Sequence, residues 1–220
     1  MIINTGVRTD IPAFYSKWFF NRIDEGYALV RNPYNNQLSK YLINPNVVDC
    51  LSFCSKNPEP MIKNLGKLAE FNQFWFVTIT SYEKDIERNV PPYNKVVKSF
   101  KRLSDNLGVN SVSWRYEVIE KAIGNTLKVP KENYKIRDCD CLFGRDIGAY
   151  NTCMNECIYC YANSNIKLVK RNHKLHNPNS PLLIGEVKDS DVVKEVNEPS
   201  YIETSEKVVP LMRTFQSTLL

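Results

Sequence analysis

The sequence predicts an α/β protein: a partial or open (β/α) barrel that carries a C-terminal, cysteine-rich cluster module. Over the first 118 residues, short β-branched and aromatic runs alternate with stretches of helical periodicity, a pattern typical of β/α units on a parallel sheet. A complete eight-unit barrel needs about 200 to 250 residues, so this region is too short to close one. Five of the seven cysteines lie between residues 139 and 160. We therefore expect a β/α region over residues 1–118 and a cluster module over residues 119–220, packed together as one domain.

Five strands are expected in the first region, where five short runs are rich in β-branched and aromatic residues. They cover residues 1–4, 27–31, 47–53, 74–80 and 109–116.

Three helices are expected between these strands. The first begins at Pro12, a residue suited to a first helical turn, and ends before Gly26. The second covers residues 60–71. The third covers residues 93–107, where Val96, Phe100 and Leu103 fall on one face at helical spacing.

The sequence changes character beyond residue 119, where Lys, Asn, Asp and Cys dominate. We expect a short helix after Cys160, a strand at residues 182–187 and a last helix at residues 205–219.

Composition and charge limit the classes of function. The N-terminus has no basic start followed by a long apolar run, and no apolar stretch approaches the roughly 20 residues that cross a bilayer. A cytoplasmic protein without membrane contact is expected. The net charge of +5 is mild, and the richest basic stretch, residues 167–174, carries only four Lys and Arg residues. Nucleic acid is therefore not indicated as a partner.

The decisive motif is the C-x₃-C-x₂-C run of Cys153, Cys157 and Cys160, with Tyr159 directly before the last cysteine. Thiolates are soft ligands that suit iron–sulfur clusters and zinc. Most cubane clusters are held by four cysteines, so three closely spaced ones leave one iron open. This pattern indicates a [4Fe-4S] cluster of the radical S-adenosylmethionine type, whose open iron binds the cofactor and whose electron cleaves it to a 5′-deoxyadenosyl radical.

Two alternatives stay open for these cysteines. Zinc uses four Cys or mixed Cys and His ligands, and Cys139, Cys141, His173 or His176 could complete such a set. The chain would then be a zinc-stapled binding module, with nucleic acid as one conceivable partner. The three motif thiols could also bind no metal. Cys139 and Cys141 themselves are either ligands of an auxiliary cluster or thiols packed beside the module.

Polar residues at strand ends are candidates for cofactor binding, because ligands of α/β sheets lie beyond the carboxyl ends of the strands. Arg8 could hold a carboxylate or phosphate, and Asp10 could accept a hydrogen bond from a ribose. Alternatively, Asp10 caps the first helix and Arg8 pairs with it. Thr9 lies between them, and Gly6 could replace the glycine-rich string that binds the cofactor's amino group in many radical S-adenosylmethionine enzymes. No such string is present in the chain.

Two further candidates lie elsewhere in the sequence. Arg115 follows a strand, and Tyr159 is placed to stack near the adenine of the cofactor.

Several strings resemble a bacterial family catalogued as domain of unknown function 1848. They are NTGVRTDIPAFY at residues 4–15, VRNP at 30–33, KNP at 56–58, WRY at 114–116, DIGAYNTC at 146–153 and CIYCYAN at 157–163. The resemblance spans nearly the whole chain. It implies a radical-SAM-like protein whose cysteine motif lies near the C-terminus, an S-adenosylmethionine cofactor, and an electron donor such as flavodoxin or ferredoxin. It implies no substrate.

The chain departs from that family in length. Members carry further β/α units after the Trp-Arg-Tyr strand, whereas here residues 116–118 run almost directly into the segment before Cys139. This departure predicts an internal deletion, and it raises the alternative of a shortened relative that binds a cluster without turnover.

Overall fold

A parallel five-stranded sheet organises the protein. The structure, a computed structural model, describes residues 1–80, 82–115 and 144–202. The sheet has the strand order β6-β5-β4-β1-β7, and all four of its strand pairs are parallel. Its members are β1 (Ile2–Asn4), β4 (Cys50–Ser55), β5 (Gln73–Thr78), β6 (Val112–Arg115) and β7 (Arg145–Asp146). The predicted α/β class is confirmed.

Helices and short 3₁₀ turns flank this sheet. The helices are α1 (Ile11–Phe14), α2 (Ser16–Glu25), α3 (Glu59–Ile62), α4 (Tyr93–Leu107) and α5 (Ile166–Lys174). The 3₁₀ turns are Leu65–Leu68 and Val109–Ser111.

The core lies between the sheet and its helices and is rich in aromatic rings. Phe53 of β4 stacks on Trp75 of β5 with ring centroids 4.0 Å apart, and Phe19 of α2 meets Phe53 edge-on at 5.4 Å. All three side chains are fully buried. Because β4 and β5 are buried on both faces, their apolar runs are nearly continuous, as expected of central parallel strands.

A smaller sheet of three strands packs beside the first. It contains β2 (Tyr27–Arg31), β3 (Leu38–Leu42) and β8 (Val193–Glu195), with β2 and β3 antiparallel and β3 and β8 parallel. Gly26 ends α2 in the left-handed conformation, with φ of 79°, and turns the chain directly into β2.

Three predicted elements differ from the structure. The helix expected from Pro12 to Gly26 is divided at Tyr15 between α1 and α2. Residues 182–187 form no strand: only Leu182 bridges to Leu29 of β2, and Gly185 turns the chain at φ of 82°. The helix expected over residues 60–71 is divided between α3 and the Leu65–Leu68 turn, because Asn64 leaves the helical conformation between them.

The parallel arrangement places the carboxyl ends of all five strands along one edge of the large sheet. The chain returns to that edge after β7, at Ile147, whose N–H bonds to the carbonyl of Asn4 at 3.1 Å. The predicted region boundary at residues 118 and 119 and the helix at 205–219 lie outside the described residues. None of the helices described is both long and apolar enough to span a bilayer.

Candidate metal centre

The three motif cysteines lie on a closed loop, residues 150–163, which we call the cysteine loop. The N–H of Asn151 bonds to the carbonyl of Ala162 at 2.8 Å and closes the loop at its base. Within it, Asn151 and Glu156 adopt left-handed backbone conformations with φ of 55° and 53°. Such conformations are uncommon for residues other than glycine and mark sharp turns. The loop is therefore tightly bent around its cysteines.

A second segment, residues 83–90, holds the cysteine loop from outside. The N–H of Ile158 bonds to the carbonyl of Ile86 at 3.0 Å, and Asn89 bonds to the carbonyls of Asn155 and Met154 at 3.1 and 2.8 Å. Because backbone groups make most of these bonds, the position of the loop depends on the fold rather than on one side chain.

The thiols are free and differ in exposure. Cys153 is buried, while Cys157 and Cys160 are half-buried. Burial raises the pKa of Cys153 to about 12, and the charge of Asp10 adds to this effect, while the N–H groups of Asn155 and Asp10 oppose it. Burial likewise raises the pKa of Cys157 to about 11, although the Lys56 ammonium opposes it. A bound metal would have to displace these protons.

The side chains around Cys153 fit a bound group. Among the described residues, five buried side-chain polar atoms lack a hydrogen-bond partner, and three of them belong to Thr9, Asn155 and Asn163. Asn163 donates to the carbonyl of Cys153 at 2.6 Å, and Asn155 donates to the carboxylate of Asp10, the neighbour of Thr9. Orphaned buried polar atoms are rare in folded proteins, so those of Asn155 and Asn163, two residues that bond to Cys153, indicate a site that a ligand completes.

The described residues bring no three His, Cys, Asp or Glu side chains together closely enough to hold one metal ion. A cubane cluster makes a different demand, because each thiolate binds a separate iron. The charge of Cys160 contributes to raising the pKa of both Cys153 and Cys157, and the N–H of Cys160 bonds to the Cys157 carbonyl at 3.1 Å. The donor set of three thiols thus fits a cluster.

Asp10 lies at the centre of the polar contacts beneath the cysteine loop. Its carboxylate accepts hydrogen bonds from Ser55 Oγ at 2.7 Å, Lys56 N–H at 2.8 Å, Asn155 Nδ2 at 3.0 Å and Ala13 N–H at 3.1 Å. The bond from Ala13 is the helix cap that the sequence offered as the alternative role of Asp10. Burial raises the pKa of Asp10, and the four donors oppose that effect. These bonds join α1, the end of β4 and the cysteine loop at one carboxylate.

Arg8 pairs with Asp146 rather than with Asp10. Its guanidinium forms an ion pair with the Asp146 carboxylate and donates to the Asp146 carbonyl at 2.9 Å, and its charge lies 5.6 Å from the ring centroid of Tyr150. The two charged side chains are 13% and 11% exposed, so the pair is largely shielded from water. Arg8 therefore links the end of β1 to the start of the cysteine loop.

Gly6 and Arg115 both contact Cys54 at the end of β4. A Cβ on Gly6 would lie 2.1 Å from the Cys54 carbonyl oxygen, so no other residue fits there without displacement. Arg115, the last residue of β6, donates to the Cys54 sulfur at 3.0 Å. The fourth strand thus brings a further thiol to the edge of the sheet that carries the cysteine loop.

Tyr159 belongs to a network that the sequence did not predict. Its hydroxyl donates to Glu87, whose carboxylate also accepts from Lys56 at 2.7 Å and Thr80 at 2.6 Å. Burial alone would raise the pKa of Glu87, but these three donors outweigh it and hold the pKa below its usual range. The Tyr159 hydroxyl also interacts with the Cys157 thiol, so the network reaches the candidate metal ligands.

A cavity of about 560 Å³ opens beside Glu87, at the carboxyl end of β5. Its walls include Thr80, Tyr82, Lys84 and Tyr93. A volume of this size suits a small organic ligand.

No local pattern in the sequence marks Glu87 or Asn155 as site residues, because the partners of each lie in distant parts of the chain.

The remaining predicted ligands fall into two groups. Cys139 and Cys141 lie outside the described residues. His173 and His176 lie against Tyr15, and His176 Nδ1 is 2.8 Å from the Leu183 carbonyl oxygen, so their ring contacts serve packing.

No curated protein and no solved structure is significantly similar to the chain. One family, described as "Domain of unknown function (DUF1848)", matches over residues 2–121 and 117–162. Together the two stretches contain Cys153, Cys157 and Cys160, and they overlap at residues 117–121, beside the expected internal deletion. The chain belongs to the DUF1848 family.

Proposed function

We propose that the chain is a radical-SAM-like iron–sulfur protein in which Cys153, Cys157 and Cys160 hold a [4Fe-4S] cluster and S-adenosylmethionine binds at its open iron. The observation that carries the proposal is the bent cysteine loop at the carboxyl edge of the sheet, which carries three free thiols in the C-x₃-C-x₂-C spacing. The orphaned polar atoms around Cys153 support it further. When bound, the cluster supplies the electron that cleaves the sulfonium of S-adenosylmethionine.

The residues around the cysteines have distinct roles in this proposal. The N–H groups of Asp10 and Asn155 stabilise the Cys153 thiolate, and the Lys56 ammonium stabilises that of Cys157. Hydrogen bonds and charges at cluster sulfurs tune the reduction potential. These residues therefore position and tune the ligands rather than bind iron.

Thr9 and Asn155 are the best candidates for polar contacts to S-adenosylmethionine. Both are 3% exposed, and each has a side-chain oxygen with no partner in the described part of the chain. Asp10 and Arg8 are engaged with protein groups, so we assign them to holding the site together. Gly6 and Arg115 line the same edge beside Cys54, and Tyr159 lies at the border between the cysteine loop and the cavity at Glu87. That cavity is the proposed place for a substrate.

The test is the iron and sulfide content of the anaerobically purified protein. We expect iron and acid-labile sulfide in similar amounts in the wild type and little of either in Cys157→Ala. The matched control is Cys50→Ala, because Cys50 is a buried thiol on β4 outside the motif. Stoichiometric zinc without sulfide in the wild type would reject the proposal. Equal iron content in Cys157→Ala and Cys50→Ala would also reject it. Formation of 5′-deoxyadenosine on reduction then separates a radical-SAM enzyme from a relative without turnover.

The proposal also implies a cytoplasmic location for the protein and an electron donor as its partner. Reduced thiols persist in the cytoplasm, and cluster reduction requires an electron donor such as flavodoxin or ferredoxin.

A further inference from the structure

The helix that follows the cysteine loop presents a face made only of cations. Four exposed side chains of α5, Lys167, Lys170, Arg171 and Lys174, recur at the spacing that places residues along one side of a helix. The helix contains no acidic residue. Apart from a 3.6 Å contact between Lys170 and Glu156, no ion pair to this cationic face occurs within the described ranges. Its positive charge is therefore largely uncompensated.

The cationic face is fixed to the cysteine loop. Asn172, on another side of α5, donates to the carbonyl of Asn151 at 3.0 Å, and the Asn151 side chain accepts from the N–H groups of Ser164 and Asn165 at 2.8 and 3.2 Å. Val169 of α5 is fully buried. Glu156, the partner of Lys170, directly precedes Cys157. The charge thus lies immediately beside the candidate cluster.

Exposed apolar groups adjoin the same region. Ile158 is 66% exposed and Tyr161 is 73% exposed, and both belong to the cysteine loop. Protein interfaces combine apolar or aromatic anchors with a charged rim that steers association. A protein that neutralises nucleic acid commonly makes roughly six to ten phosphate contacts, more than these four cations provide. The combination favours an acidic protein partner.

We propose that the cationic face of α5, together with Ile158 and Tyr161, is the docking surface for an acidic flavoprotein that donates one electron. The inference rests on the proposed function, because an electron donor is needed only if a cluster is bound. In the docked complex one electron passes from the reduced flavin of the donor to the cluster, and the flavin is oxidised by one electron.

The experiment compares two triple charge reversals of the full chain with bound cluster. Lys167→Glu, Arg171→Glu and Lys174→Glu alter the cationic face but leave Lys170 and its contact beside Cys157 in place. Lys95→Glu, Lys98→Glu and Lys101→Glu on α4 are the matched control, since these residues are also exposed cations on one helix. Each set replaces three cations by three anions and so changes the net charge from +5 to −1.

The measurement is the second-order rate of cluster reduction by reduced flavodoxin, an acidic flavoprotein. The rate of reduction by dithionite alone is measured for comparison, because a small reductant needs no docking surface. At an ionic strength of about 0.01 M, where the screening length is roughly 30 Å, we expect the α5 variant to react roughly tenfold more slowly than the wild type. The α4 variant should stay within about twofold of the wild type. At about 1 M the difference should vanish. Equal slowing of both variants would overturn the docking surface.

Two further readouts separate this proposal from the function on which it rests. Absence of iron and sulfide from the wild type rejects the cluster before any docking is tested. The affinity of the cluster-free chain for flavodoxin should fall in the α5 variant and not in the α4 variant. If the affinity for a DNA or RNA oligonucleotide falls in the α5 variant alone and the affinity for flavodoxin does not, the cationic face binds nucleic acid and the proposal is wrong.

Discussion

Lys56 and Glu87 form a shielded ion pair, 2.7 Å long, that joins the end of β4 to the segment holding the cysteine loop. The Glu87 side chain is 2% exposed and that of Lys56 is 14% exposed. The same carboxylate accepts from Tyr159, so one pair of charges connects the sheet, residues 83–90 and the candidate metal ligands.

Replacement of Glu87 by Gln should destabilise the protein strongly. The change leaves the Lys56 ammonium without its counter-charge in a largely buried place, and breaking a buried pair in this way costs roughly 3 kcal/mol. The free energy of unfolding by urea measures the effect. Asp24→Asn is the matched control, because it removes a carboxylate from the exposed Lys67–Asp24 pair, where the expected loss is below about 1 kcal/mol. Equal losses of unfolding free energy in the two variants would show that the buried Lys56–Glu87 pair stabilises the fold no more than the exposed Lys67–Asp24 pair does.

Replacement of Asp10 by Asn tests the carboxylate that joins α1, the end of β4 and the cysteine loop. The amide nitrogen of Asn would face donors where the carboxylate now accepts, so at least one buried hydrogen bond would be lost. We expect a loss of roughly 2 kcal/mol in the free energy of unfolding, measured by urea denaturation. Asn155→Ala removes only one of the donors and should cost less. A larger loss for Asn155→Ala would contradict the central position given to Asp10.

The sequence predicted the layered α/β class because burial on both faces leaves a continuous apolar run, as in Phe74–Trp75–Phe76–Val77. It did not predict β7 or β8, since Arg145–Asp146 and Val193–Glu195 are short and polar. Their strand conformation depends on pairing with β1 and β3, which contact them from distant parts of the chain. The sequence prediction also missed β3, in which Ser39 and Lys40 interrupt the apolar run.

The candidate site, like the fold, was predicted from the sequence only in part. The spacing of Cys153, Cys157 and Cys160 singled out the thiols, and the Asp10 cap followed from its place before Pro12. Glu87 had no such signal, because its partner Tyr159 lies 72 residues away in the sequence. Tertiary contacts, rather than local pattern, create this part of the site.

His176 should make folding sensitive to mild acid. Burial lowers the pKa of its imidazole, while the hydrogen bond with Leu183 opposes this and nearby His173 adds to it. As the pH falls, the unfolded chain therefore takes up the proton first, and the stability that is complete above pH about 6.5 decreases below it. Unfolding by urea at pH about 7.5 and about 5.5 measures the decrease. His176→Gln should show a smaller decrease over that window; an unchanged decrease would assign the pH dependence to other groups.

Gly6 gives the most local test of how β1 approaches β4. A Cβ at this position would lie 2.1 Å from the carbonyl oxygen and 2.6 Å from the Cβ of Cys54, and neither atom can move without shifting β4. We expect Gly6→Ala to lower the free energy of unfolding by roughly 3 kcal/mol, because overpacking of this kind forces the backbone apart. Gly66→Ala is the matched control, since nothing lies within 4 Å of its Cβ position and its φ is not positive. Urea denaturation of both variants measures the contrast. If Gly6→Ala were as stable as Gly66→Ala, the close approach of Gly6 to Cys54 would be wrong. The placement of the Cys54 thiol beside the cysteine loop would then be wrong as well.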